Sequence, residues 1–280
     1  MVIKPTGNPP AIMNEYWRLY IMKKIIALLL CLVLTAASAL AMAEENSDKA
    51  YVLEKGKLIV GITDFEPMDY RDTDGSWVGF DADLARMFAE YLGVEVEFQE
   101  IDWDNKILEL DGLSIDCVWN GMTLTDEVLA AMNCSKPYMN NAQVVVLPVD
   151  KAGDYSTVES LSGLVFAVEA GSSGEKVVTE LGYQANAVQN QAAALMEVAA
   201  GTSDAAVIDA LMAAAMVGEG TSYENLTYSL PLQDEQYGVG FRKGSDLADE
   251  LNTFLDACTA DGSLLELAKL YSVQAALIGE

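Results

Sequence analysis

The chain has 280 residues, half of them apolar, with 43 acidic side chains against 16 basic ones, no histidine and a formal net charge of −27. That length holds two ordinary domains or lobes with a core in each. So acidic a surface repels phosphate backbones and anionic membranes, which argues against nucleic acid as a partner, and a chain without histidine lacks the usual zinc sites and His-based triads.

Residues 1–21 contain Pro5, Pro9 and Pro10 and carry no targeting pattern. Residues 22–43 read as a signal peptide. Met22-Lys23-Lys24 is its basic start, Ile25 to Leu34 its apolar run, and Ala39-Leu40-Ala41 or Ala41-Met42-Ala43 its small-residue cleavage site. An uncleaved membrane anchor is the competing reading, because the apolar run nearly reaches spanning length. Export to a periplasm or out of the cell is expected, and loss of 1–43 leaves 42 acids against 12 bases. Cys31 lies inside the apolar run, unlike a lipid-attachment cysteine.

After a polar lead-in, Lys57 to Ile62 is a short buried strand, and Thr63 to Tyr70 is a loop holding Asp64, Phe65 and Pro67. Asp72 to Ser76 is a turn. Asp81 is a suitable N-cap for a helix with Leu84, Met87, Phe88 and Tyr91 at helical spacing and Gly93 as its stop. Val94 to Phe98 alternates as a strand should, and Trp103-Asp104 opens another helix. Ile115 to Trp119 is a buried strand running into Asn120-Gly121-Met122-Thr123-Leu124-Thr125. A small-polar cluster there puts hydroxyl, amide and backbone groups at a strand's carboxyl end, where open α/β sheets bind ligands. Asp126-Glu127 starts a helix that Ser135 to Tyr138 ends. Cys117 and Cys134 bracket this turn and helix. A disulfide between them, permitted by export, and two buried free thiols are both open readings.

Gln143 to Leu147 is a strand, and the alternation of strand and helix so far indicates a mostly parallel sheet covered on both faces. The pattern then restarts. Leu164 to Val168 is a strand, Glu169 to Gly174 a tight loop with Ser172 and Ser173, and 175–181 a helix whose start can hold an anion. Gln191 to Ala200 is a helix capped by Gly201. Asp204 to Ile208 is a buried strand ending on Asp209, where a carboxylate is costly unless paired. A helix follows, then a strand over Gln236 to Phe241 and two helices, Leu247 to Ala260 and Ser263 to Tyr271.

The segments VGFDADLARMFAEYLGVEVEF, DWDNKILEL, IDCVWNGMTLT and CSKPY, followed by GLVFAVEAGSSGE, SDAAVID and QYGVGFRKGSDLADELNTFLDACTADGSLLELAKLY, resemble the polar-amino-acid-binding proteins that serve ABC importers. The likeness runs in order over about residues 55–275. It implies an α/β, two-lobe periplasmic-binding-protein type II fold with two hinge crossings, near Asn141–Leu147 and Gln233–Gly238. Lobe 1 would comprise residues 50–141 plus 239–280, and lobe 2 residues 147–235. It further implies an exported monomer that captures a small amino acid or related zwitterion between the lobes and delivers it to an ABC permease, with no metal, no cofactor and no catalysis.

Carried over residue by residue, the resemblance makes Phe65, with Asp64 beside it, and Trp103 the walls around the ligand's side chain. Asn120, Gly121 and Thr123 would bond its amino and carboxylate ends, Ser172 and Ser173 its carboxylate, and Asp209 its ammonium. One departure stands out. Three residues after Thr125 the family has an arginine that grips the α-carboxylate, and here Val128 stands in its place. The carboxylate is then held by the serines and helix start alone, or by another cation among Arg71, Lys106 and Lys136, or the ligand lacks it. The same fold carries a sensory binding module and cyclohexadienyl-dehydratase-like enzymes, so both remain alternatives.

Overall fold

The structure, a computed structural model, describes residues 20, 22–24 and 47–279. The signal-peptide reading of 22–43 therefore falls almost wholly outside the described residues. Among these, no helix is long and apolar enough to cross a membrane. The chain divides into a unit of residues 1–50 and a unit of residues 51–280, and the second carries everything that follows.

Its strands are β1 (Lys57–Ile62), β2 (Tyr70–Arg71), β3 (Trp77–Val78), β4 (Glu95–Glu100), β5 (Cys117–Thr123), β6 (Asn133–Cys134), β7 (Met139–Pro148), β8 (Val165–Glu169), β9 (Gln184–Val188), β10 (Ala205–Asp209) and β11 (Leu226–Phe241). One nine-stranded sheet has the order β4-β1-β5-β11-β7-β10-β8-β9, with β6 beside β11; β2 and β3 form a separate ribbon. The mixed α/β class read from the alternating pattern is the one observed.

The sheet is two parallel groups joined by an antiparallel pair. β1 runs parallel to β4 and β5, and β8 runs parallel to β9 and β10. Between the groups lie β7 and β11, antiparallel to each other over Leu226–Pro148 at one end and Tyr237–Met139 at the other. The Tyr237–Phe241 end of β11 pairs with β5, whereas Gln143–Val146 of β7 pairs with β10. Two strands thus thread from one half to the other.

Helices cover the sheet as the apolar spacing requires. Helix Phe80–Leu92 buries Phe80, Leu84, Ala85, Phe88 and Ala89, and Gly93 ends it in the left-handed conformation. Its N-cap is Gly79 and not Asp81. Asp81 lies inside the first turn, fully buried, and accepts from Gly121 N at 2.6 Å and Tyr138 Oη at 2.8 Å. Gly79 has φ 131°, and a Cβ there would meet the Met68 carbonyl oxygen at 2.1 Å, so the residue before the helix has to be glycine.

The two cysteine readings are now separated: Cys117 and Cys134 are free thiols. Cys117 pairs with Phe241 on one side of β11, and Cys134 pairs with Gly240 on the other. With a strand between them their Cα atoms lie about 10 Å apart, two inter-strand spacings, beyond what a disulfide spans.

Candidate functional site

The carboxyl ends of β1, β5, β8 and β10 surround a cavity of about 330 Å³. Every wall residue follows from that placement. Thr63 and Phe65 leave β1, and Asn120 to Thr123 end β5. Glu169 closes β8, with Gly171, Ser172 and Ser173 after it, and Asp209 closes β10. Trp103 and Lys106 come from the short turn Trp103–Asn105 and helix Lys106–Asp111. Val128 and Gln191 also line it, as do Lys176 and Glu175 of the helix Ser173–Glu180.

Of the residues expected at the site, Phe65, Trp103, Asn120, Gly121, Thr123, Ser172, Ser173 and Asp209 all line this cavity; Asp64 does not. Asp64 is half-buried beyond Phe65, where burial and the Glu100 charge raise its carboxyl above the usual range. Phe65 is held edge-on against Tyr237, with ring centroids 6.4 Å apart and planes at 83°. Gly121 passes beneath it at φ 54°, and a Cβ would fall 2.5 Å from Phe65 Cε1, so this strand end admits no side chain.

Several polar groups expected to face a ligand are engaged within the protein. The Asn120 amide donates to Asp69 Oδ2 at 3.0 Å and to Thr63 O at 3.3 Å, and its oxygen accepts from Thr63 N. Gly121 N is given to Asp81. Ser172 Oγ caps the helix Ser173–Glu180, accepting from Glu175 N at 3.1 Å, while Ser173 Oγ donates to Glu235 Oε2 at 2.8 Å.

Two buried acids dominate the electrostatics. Asp209 accepts from Gln143 Nε2 and from Tyr237 Oη, and Gln143 Nε2 also reaches Glu235 Oε1 at 2.7 Å. Burial and the neighbouring Glu235 hold the Asp209 carboxyl well above the usual range. Burial likewise pushes Glu169 up to about 8, although Lys106 pulls the other way. The Glu169 Oε1 atom is buried without a hydrogen-bond partner.

Val128 lines the cavity as an apolar residue, 5% exposed. Of the three cations considered in its stead, only Lys106 reaches the cavity. Arg71 lies 4.1 Å from the Trp77 ring and 3.7 Å from Glu100, and Lys136 pairs with Asp256. Lys106 Nζ sits 4.8 Å over the Trp103 ring and donates to Trp103 O at 3.1 Å and Gly171 O at 2.9 Å. It fastens one half of the sheet's loops to the other, and burial lowers its pKa.

Sequence reasoning missed Glu169, Gln143, Gln191, Glu235 and Tyr237. Glu169 was within reach, because VFAVE ends a buried strand on an acid in the same way that AAVID does. The others sit on strands and helices whose inward faces no local pattern marks.

The family model of bacterial extracellular solute-binding proteins, family 3, matches residues 58–274. The arginine-binding extracellular protein ArtP of Bacillus subtilis is 27% identical over 255 residues, covering 89% of this chain and 97% of that protein. The cyclohexadienyl dehydratase of Pseudomonas aeruginosa is 27% identical over 157 residues, covering 55% of this chain and 58% of that enzyme. Among solved structures, a mutant of ArgBP from T. maritima superposes with a TM-score of 0.75 at 31% identity, over 80% of this chain and 98% of that one.

Proposed function

This chain belongs to the bacterial extracellular solute-binding proteins, family 3, and from that premise we propose that it captures a small amino acid in the cavity and delivers it to an ABC importer. The observation that carries the reading is the convergence of Phe65, Trp103 and Asp209 on one cavity. Aromatic faces suit an alkyl or aromatic side chain. A buried carboxylate held above its usual range suits an ammonium, whose arrival restores its charge.

In this reading residues 50–141 with 239–280 form one lobe and 147–235 the other, with β7 and β11 as hinge strands. The ligand stabilises the closed form, and the permease recognises that form. Supporting it, Lys106 and Gly171 O already link loops from the two halves. The protein is read as an exported monomer, cleaved within 39–43, that binds without turning its ligand over.

Isothermal titration against the common amino acids tests it: at least one is expected to bind in the micromolar range or tighter. Silence with all of them, alongside a folded protein by circular dichroism, would reject it. The enzymatic alternative rests on the likeness to cyclohexadienyl dehydratase. A prephenate-like acid would bring carboxylates against Asp209 and Glu169 with Val128 in place of a guanidinium, which disfavours it. Release of phenylpyruvate from prephenate by the purified protein would reinstate it.

A further inference from the structure

Beneath the β5 end of the cavity lie two acids, Asp69 and Asp81, both 0% exposed. Asp81 Oδ2 accepts from Gly121 N at 2.6 Å, and both Asp81 oxygens accept from Tyr138 Oη at 2.8 Å. Asp69 Oδ2 accepts from Asn120 Nδ2 at 3.0 Å, while its Oδ1 is buried without a hydrogen-bond partner. Two adjacent cavity residues, Asn120 and Gly121, are thus each held by one of these carboxyl groups.

Asp69 reaches a third wall residue through the main chain. Phe65 N donates to Asp69 O at 2.7 Å and Asp69 N to Phe65 O at 2.8 Å, so the loop carrying Phe65 closes on Asp69. The Asn120 side chain joins that loop to the end of β1 through Thr63 N and Thr63 O. Phe65, Asn120 and Gly121 therefore share one support, with two acids at its centre.

The side-chain and main-chain donors to these acids are neutral: an amide, an N–H and a phenol. Arg86 acts on Asp69, yet its guanidinium is taken up by Asp83 and the Trp77 carbonyl, and Asp83 adds a further negative charge. Tyr138 and Cys117, the other titratable groups beside the pair, are held neutral by burial. Two like charges in a dry site resist being carried together. Burial pushes Asp81 up to about 7 and Asp69 well above the usual carboxylate range, with the Asp81 charge adding to the latter.

We infer that Asp69 and Asp81 are positioning residues that hold Phe65, Asn120 and Gly121 in place while the pair keeps a proton, and that this wall loosens when both acids ionise. The inference rests on the reading of the cavity as the amino-acid site and adds how that site responds to pH. Its sign is distinctive. Rising pH weakens the wall, whereas ionisation of Asp209 favours an ammonium.

Hydrogen exchange on the ligand-free protein reads the wall through the N–H groups of Thr63, Phe65, Asp69 and Gly121, in peptides covering residues 60–70 and 117–124. Comparing wild type with D69N at one pH cancels the intrinsic exchange rate. Exchange in the wild type relative to D69N is expected to rise about fivefold or more from about pH 6 to about pH 9, while the helix Gln191–Ala200 keeps a constant ratio. A constant ratio in the wall peptides, or an equal rise in that helix, would overturn the inference. D81N removes the other member of the pair and is expected to match D69N, so it decides the case should D69N misfold.

Calorimetry with the common amino acids asks whether the wall governs binding. For each that binds, wild-type affinity relative to D69N is expected to fall about fivefold or more over the same interval. Titration of Asp209 and of the amino acid itself cancels in that ratio. D69A, which lets go of Asn120 altogether, is expected to bind more weakly than D69N at both pH values. A flat binding ratio beside a changing exchange ratio would overturn the positioning role and leave amino-acid capture standing. Silence with every amino acid would reject both.

Discussion

Asp209 receives the Gln143 amide and the Tyr237 hydroxyl, stands beside Glu235, and is buried. Its local partners are donors, not cations, so its charge is fully used only when a ligand brings one. Asp209→Asn is expected to weaken ligand binding by about 10- to 100-fold, equivalent to losing a ~1.5–3 kcal/mol charge-assisted bond. Its melting temperature is expected to stay level or rise, since a costly buried acid is gone; calorimetry and a thermal melt check the two halves. Gly121 makes the opposite case, a residue whose lack of a side chain is the point. Gly121→Ala places a Cβ 2.5 Å from Phe65 Cε1 in a left-handed conformation that alone costs about 1–2 kcal/mol. A chemical denaturation midpoint lowered by at least that much is expected, together with weaker binding as Phe65 is pushed aside.

At the scale of elements, the site exists because two parallel pairs of strands, β1 with β5 and β8 with β10, run in opposite directions and end at one cavity, and those ends carry the polar residues. The strand β5 shows both how far local pattern reaches and where it stops. Its apolar run and the polar cluster after it were legible, and so was the position of Asn120 and Gly121 at the cavity. That the Asn120 amide and Gly121 N–H turn inward to Asp69, Thr63 and Asp81 was not, because those partners lie 40 residues or more away in sequence. The cysteines follow the same logic. Bracketing a turn suggested a bridge, yet β11 inserts between Cys117 and Cys134. Iodoacetamide added to the denatured protein without reductant is expected to alkylate both, and peptide mass spectrometry reads the result; a mass shift for a linked pair would contradict it. β9 and the first half of β11 escaped the sequence because QANAV has no large apolar face and LTYSLPLQDE carries a proline and acids at a bulged stretch.

Across the whole molecule, burial gathers carboxyl groups that hold protons longer than usual. Asp81 is pushed up to about 7 and Glu169 to about 8, with Asp69 and Asp209 raised as well, burial being the first cause in each. The folded chain binds more protons than the unfolded one across that window, so stability falls as pH rises. The ligand-free protein is expected to be most heat-stable near pH 4–5 and to lose several degrees of melting temperature by about pH 8, as these groups ionise in place. A saturating amino acid whose ammonium meets Asp209 is expected to flatten that slope, because it supplies a counter-charge there. Melts at constant ionic strength across the range, with and without the ligand, measure both effects; a rising stability from pH 5 to 8 would contradict the sign.

Residue order alone determined the alternation of strand and helix, the acidic surface and the strand-end cluster, because periodicity and turn chemistry act within a few positions of the chain. The family resemblance made Phe65, Trp103 and Asp209 candidates, and all three line the cavity. Only the tertiary structure decided that Glu169 Oε1 is left without a hydrogen-bond partner, that of Arg71, Lys106 and Lys136 it is Lys106 that reaches the cavity, and that Asn120, Gly121, Ser172 and Ser173 are engaged elsewhere. Hydrogen-bond satisfaction and burial are sums over neighbours brought in from distant parts of the chain, and no short window of sequence contains them.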